Sequence, residues 1–196
     1  MTARKSTWRW FFGPLAVVIV ALAVGETPLR ELLRYDRGLM GIVQPWRFIS
    51  AHLVHLSWSH TLLNGAGLVL IGLLFQTRAT LSEWWIALLL SVAAIDLGLL
   101  LWAPALDWYV GLSGALHGLF VFGAAREWQG GQRSGAILLL VVASKLAFEQ
   151  FAGALPLTAS AAGGPVVVDA HLYGSLGGAL AYGLMHAYGG RRARTH

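Results

Sequence analysis

The sequence predicts an all-α integral membrane protein, a single domain over residues 1–196 built on six transmembrane helices. Three observations carry that expectation. Hydrophobic residues make up 57% of the chain and charged ones only 12%, and the mean hydropathy of +0.64 lies far above that of a water-soluble domain. The apolar runs follow one another with connections too short to hold a soluble unit. Tryptophans, among them Trp46, Trp58, Trp84, Trp85, Trp102 and Trp108, mostly flank those runs, where an amphipathic ring prefers the headgroup level.

A helix needs ~20 mostly apolar residues to cross the hydrocarbon core, with ~17 to 25 tolerated. The first candidate, 10–26, follows Arg4, Lys5 and Arg9 and superficially resembles a signal peptide, but "AVGETP" is a weak cleavage site and the segment is expected to stay as a span. A long connection follows. Its Arg30, Arg34, Arg37 and Arg47 are accompanied by Glu26, Glu31 and Asp36, while Leu29, Leu32 and Leu33 can lie on lipid, which predicts an interfacial helical loop. The remaining spans are expected at 57–76, 83–103, 111–126, 135–152 and 168–188.

An even number of spans puts both termini on one side. Arg4, Lys5, Arg9, Arg78, Arg126, Arg133, Arg191, Arg192 and Arg194 fall on that side, which the positive-inside rule makes cytoplasmic; Asp107 and Asp169 fall on the other. The net charge of +5 therefore reads as a topology signal and the partner as a lipid bilayer. Nucleic acid is not expected, because the basic residues end apolar segments instead of alternating with aromatics on a soluble face. With no cysteine, disulfides and thiolate chemistry are excluded. No metal or cofactor is expected.

Strongly polar side chains inside spans cost a few kcal/mol each and so face the protein interior or a water-filled cavity. Five lie toward the outer ends of spans 2, 4 and 6: His60 and Asn64, Ser113 and His117, and His171. These three spans run in one direction, so the five groups share one depth. Glycines explain how the spans could meet. Gly114 and Gly118 on span 4, with Gly111 ahead of them, and Gly174 and Gly178 on span 6 form small-xxx-small faces that let backbones approach. His171 lies on the stripe of Gly174 and Gly178, which puts its imidazole at the seam beside Ser113.

A serine hydroxyl is a poor nucleophile until a base takes its proton, and a tetrahedral oxyanion needs preorganised donors. His171 can be the base. His60 and Asn64, four apart on one helical face, can present an N–H and an NH₂ to the oxyanion together with the Ser113 backbone N–H. Taken singly, Ser113 fits a hydroxyl bonded to the carbonyl one turn back, His171 a satisfied interior histidine and Asn64 a helix–helix bond. Together they describe acyl transfer.

The motifs resemble those of the rhomboid family of intramembrane serine proteases. "PWRFISAHLVHLSWSHTLLN" is similar to the family's W-R segment and H-x₄-H-x₃-N, realised as His55, His60 and Asn64; "GLSG" resembles its nucleophile motif and "AHLYGSLGG" its final H-x-x-G-x-x-x-G. The resemblance implies a rhomboid-like bundle, Ser113 as nucleophile, His171 as base, and His60 and Asn64 as oxyanion partners. Within the family the short chain and the "GLSGALHG" form are similar to rhombosortases. That likeness implies a bacterial inner-membrane enzyme whose site opens to the outer face. Its implied substrate is an exported surface protein held by a C-terminal anchor of Gly-Gly, apolar span and basic tail. His117, one turn below Ser113, either lines the substrate slot or bonds a neighbouring helix. With no acid assigned, the site reads as a Ser–His dyad, and Asp169 as a cap for span 6.

A second polar group joins Asp96 in span 3 to Lys145, Glu149 and Gln150 in span 5, away from the serine–histidine level. Lys145 and Glu149 stand at i, i+4 and can neutralise one another. Such charges keep open a small transporter, although no inverted repeat is visible. A rhomboid-like protein that binds membrane helices without cutting them is a further alternative; the presence of both nucleophile and base opposes it.

Overall fold

The computed structural model describes residues 7–39 and 43–194. Arg4, Lys5 and the side chains of Glu26, Arg191, Arg192 and Arg194 lie outside what it describes. A π-helical turn α1 (Trp8–Phe12) continues as α2 (Gly13–Val24), and the chain then turns by 119° into the short α3 (Glu26–Leu33). Beyond α4 (Arg47–Ser50) come α5 (Trp58–Phe75), α6 (Leu81–Trp102), α7 (Ser113–Gln129), α8 (Arg133–Ala152), the short α9 (Thr158–Ala162) and α10 (Val168–Arg194).

Helices α5, α6 and α8 are long and apolar enough to cross a membrane, and the bent α1–α3 segment makes a fourth candidate. The chain is a multi-pass membrane protein. The 17-residue α7 falls short of that measure for a physical reason. It packs against α5, α6, α8 and α10, and Gly114, Ala115, Gly118, Leu119, Phe122 and Ala124 are all buried. A helix sheathed by others has no need of an apolar face toward lipid, so it can carry glycine, serine and histidine.

Aromatic packing ties the first helix to this centre. Phe11 meets Phe12 edge-on at 4.8 Å, Phe12 meets Trp84 at 5.3 Å, and Trp84 meets Phe122 at 5.3 Å. Trp84, expected at the lipid boundary, is instead fully buried, because its indole fills the space between α1 and α7.

Two helix starts are set by their caps. Ser57 Oγ accepts from the His60 amide at 3.1 Å, which fixes the phase of α5; Thr80 and Glu83 form a reciprocal capping box at the start of α6. The long connection is not held by lipid contact alone. Tyr35–Asp36 (β1) pairs antiparallel with Trp108–Tyr109 (β2), Tyr35 opposite Tyr109. The Arg37 guanidinium donates to the carbonyls of Leu99, Leu100, Ala103 and Leu106 at 2.5, 3.3, 2.8 and 3.0 Å. Leu99 and Leu100 lie in the last turn of α6, whose carbonyls lack helical partners, and a cation is favourable there. Arg47, 3% exposed, likewise donates to the carbonyls of Glu31 and Arg34.

Candidate active site

Helices α7 and α10 touch backbone to backbone. A Cβ on Gly174 would run into the Gly114 carbonyl, and one on Gly178 into the Gly118 carbonyl. One on Gly114 would meet the Ala170 carbonyl at 2.7 Å. The four glycines thus form the expected seam. Gly111 does not belong to it. It precedes the helix with φ +118°, a conformation that favours glycine, and a Cβ there would stand 2.8 Å from the His60 ring. Its lack of a side chain makes room for that imidazole. Glycines of other seams add to the closeness: a Cβ on Gly177 would meet the Leu90 carbonyl of α6 at 2.5 Å.

The closeness brings Ser113, first residue of α7, to His171, in the first turn of α10. Ser113 Oγ lies 3.0 Å from His171 Nε2. The hydroxyl therefore does not bond a carbonyl one turn back, as Ser91 and Ser175 do with Ala87 and His171; at the first position of a helix no such carbonyl is available. On its other side His171 Nδ1 lies 3.0 Å from Glu149 Oε2, and Glu149 Oε1 lies 2.7 Å from Lys145 Nζ. His171 is 5% exposed and Glu149 2%.

The expectation that Lys145 and Glu149 lie away from the serine–histidine level is thus corrected, and with it the description of the pair as a dyad with no acid near. The signal was available in the depths. Glu149 lies three residues before the end of α8 and His171 three after the start of α10, and the two helices run in opposite directions. Asp96 also leaves the group in which it was placed: its partner is His52, whose Nε2 it meets at 3.2 Å. Asp169 is the second residue of α10 and not its cap; it lies in the first turn, where a carboxylate favours the helix dipole.

His117 departs from the reading in which it bonds a neighbouring helix, since its hydrogen bond stays within α7. It lines the groove beside Ser113, and its Nδ1–H donates to the Ser113 carbonyl at 2.7 Å, a bond within its own helix. Its ring stacks on His171 with centroids 4.1 Å apart and planes 19° apart.

On α5, His60 Nδ1 accepts from the Leu56 amide at 3.4 Å, which leaves the ring proton on Nε2. Asn64 donates one amide N–H to the His60 carbonyl at 3.1 Å and has a second to offer. His55 stands edge-on to His60 at 5.0 Å. Burial, and then the neighbouring His60, push His55 down to about 3, so it supports that ring as a neutral group.

Two cavities meet at these residues. A groove of about 400 Å³ opens between α5 and α8, with Leu63, Leu70, Val141 and Val142 on its walls and Ser113, His117 and His171 at its head. A second, of about 300 Å³, lies over the end of the bundle between Leu56, Asp107, Trp108 and Pro165; Ser113 and His60 line both. His117, Glu149 and His171 bring ligand atoms within 4.8 Å of one another, near enough for a metal set. Each is already engaged, and the Lys145 ammonium beside Glu149 opposes a second cation. The arrangement fits transfer of a proton between Ser113 and His171, with Glu149 against the far side of the ring.

No curated protein and no solved structure matches this chain. A family model, the Rhomboid domain, matches residues 43–188, from the connection before α4 to α10. Three quarters of the sequence and every group at the head of the groove fall inside that match, and the chain belongs to the rhomboid family.

Proposed function

We propose that this rhomboid is an intramembrane serine endopeptidase, with Ser113 as nucleophile and His171 as general base. The observation that carries the reading is the 3.0 Å contact between Ser113 Oγ and His171 Nε2 at the head of an apolar groove. In the reaction Ser113 Oγ attacks the peptide carbonyl as its proton passes to Nε2. The oxyanion takes hydrogen bonds from the Ser113 backbone N–H, His60 Nε2–H and the free Asn64 N–H, each such donor contributing ~3 kcal/mol in the transition state. His171 returns the proton to the leaving amine as the C–N bond breaks, and water then hydrolyses the acyl-enzyme. The groove between α5 and α8 suits an apolar helix entering from lipid, and the cavity over the bundle end suits the water.

The whole chain, 1–196, works as one domain crossing the membrane six times, with both termini cytoplasmic and the site facing outward from a bacterial inner membrane. The basic termini and the packing of Phe11 and Phe12 into the common core support that arrangement. The substrate is a surface protein whose C-terminal anchor carries Gly-Gly ahead of its apolar span. Support comes from the "GLSGALHG" form and from the depth of the site, where a scissile peptide must leave its helix. Glycine lowers that cost, being ~1 kcal/mol worse than alanine in a helix interior.

The test is a fluorophosphonate label on purified protein, followed by a co-expressed reporter tailed with Gly-Gly, Ala-Ala or Leu-Leu. We expect label on Ser113, none in Ser113→Ala, and anchor loss that slows markedly without Gly-Gly. No label on the folded wild-type chain would reject the protease. Equal Ser113-dependent loss of all three tails would leave a rhomboid protease that cuts other single-span substrates.

A further inference from the structure

We propose that Glu149 is a positioning residue for His171, and that Lys145 decides which way the Glu149 side chain can serve it. The inference rests on the reading of Ser113 and His171 as a proton-transfer pair. For that transfer His171 must keep its own proton on Nδ1, so that the Nε2 lone pair faces the hydroxyl. A neutral imidazole in a folded chain takes its tautomer from the hydrogen bond that one of its nitrogens makes. Here the carboxylate supplies it: a carboxylate has only lone pairs to offer, and Glu149 Oε2 stands 3.0 Å from Nδ1, so that nitrogen must be the donor. When Nε2 takes the serine proton, the imidazolium that forms lies between Glu149 and the new oxyanion.

Glu149 is 2% exposed, and such a carboxylate needs a partner of its own. Lys145, one turn earlier on α8, provides it at 2.7 Å on the other oxygen. An ammonium has donors and no lone pair, so whatever atom faces Lys145 must be an acceptor. The two oxygens of Glu149 are equivalent and face Lys145 and His171 at once, one in an ion pair and one in a hydrogen bond. His117, the other imidazole against His171, has its Nδ1–H committed to the Ser113 carbonyl at 2.7 Å and does not compete for Glu149.

This polarity makes a test that a merely structural role does not pass. In Glu149→Gln the amide oxygen must face Lys145, so the NH₂ is turned to His171 Nδ1. Nδ1 is forced to accept, and the ring presents Nε2–H to Ser113, the wrong tautomer. Fluorophosphonate labelling of Ser113 should fall on the order of ten-thousandfold, as when the acid of a serine protease triad becomes an amide. Replacing the cation as well, in Lys145→Met/Glu149→Gln, frees the amide to flip and offer its oxygen to Nδ1–H. The double variant should label at least about tenfold faster than Glu149→Gln alone.

Labelling of Glu149→Gln within about twofold of wild type would overturn the proposal, and so would a double variant no faster than the single one. A measurement on the native chain decides independently of the variants: ¹⁵N shifts of labelled histidine should show His171 protonated at Nδ1 and bare at Nε2, and the opposite tautomer would sink the idea. Failure of the protease reading looks different, because then the folded wild-type chain itself does not label.

Discussion

At the scale of single residues, the candidate site depends on which atoms have hydrogen bonds left over. Ser113 has no carbonyl a turn behind it, so its hydroxyl is free for His171. His60 uses Nδ1 on a backbone amide, so its proton sits on Nε2. Asn64 uses one N–H on the His60 carbonyl and keeps the other. That last N–H leads to a prediction: Asn64→Ala should lower kcat about a hundredfold with KM little changed, since the bond it would lose forms only as the oxyanion develops. Steady-state cleavage of a tailed reporter separates the two constants, and a loss confined to KM would move Asn64 from the oxyanion to substrate binding. The same residues were legible in the sequence because a polar group in an apolar run is conspicuous. Glu149 was legible too, and its depth matches that of His171, but Lys145 at i−4 is a sufficient local partner and the contact itself is not local.

At the scale of elements, the seam between α7 and α10 sets the contact on which the proposed chemistry depends. Gly178→Leu adds a side chain where a Cβ would already run into the Gly118 carbonyl. The helices must part, and the 3.0 Å contact from Ser113 to His171, two turns away, must lengthen. A misplacement of ~1 Å is worth on the order of a hundredfold in rate, so this variant should be nearly inactive although Gly178 touches no reacting atom. Gly183→Leu is the control on the same helix, since a Cβ there meets nothing within 4 Å. Equal activity of the two would show that the seam does not govern the site. Glycine spacing revealed the seam in advance because the helical period is local. Gly111 was misassigned to it for the same reason: spacing alone does not reveal that the residue precedes the helix with positive φ.

At the scale of the whole molecule, the long connection is part of the folded unit and not a tether. Arg37 joins it to the end of α6 and the turn that follows through four carbonyls, and His52 joins it to the same helix through Asp96 at 3.2 Å. Arg37→Met keeps much of the aliphatic stem and removes every donor. It should cost about 2 kcal/mol, the scale of hydrogen bonds to a charged group, seen as a lower unfolding temperature in detergent with the wild-type lipid requirement retained. An unchanged temperature would show that the β1–β2 pairing holds the connection unaided. The four arginines of this connection are engaged within the fold: Arg30, Arg37 and Arg47 serve backbone carbonyls, and Arg34 pairs with Glu31 at 2.7 Å.

What the amino-acid sequence determined by itself is what depends on neighbours along the chain. Apolar run length marks the membrane helices, and small residues four apart mark a close-packing face. Tertiary structure decided the rest, because the rotation of one helix about its axis relative to another leaves no trace in either segment alone. That rotation turns Glu149 toward His171, separates Asp96 from Lys145 and gives it to His52, and sinks Trp84 into the core. Each is a contact between residues far apart in sequence, settled only when all the helices pack at once.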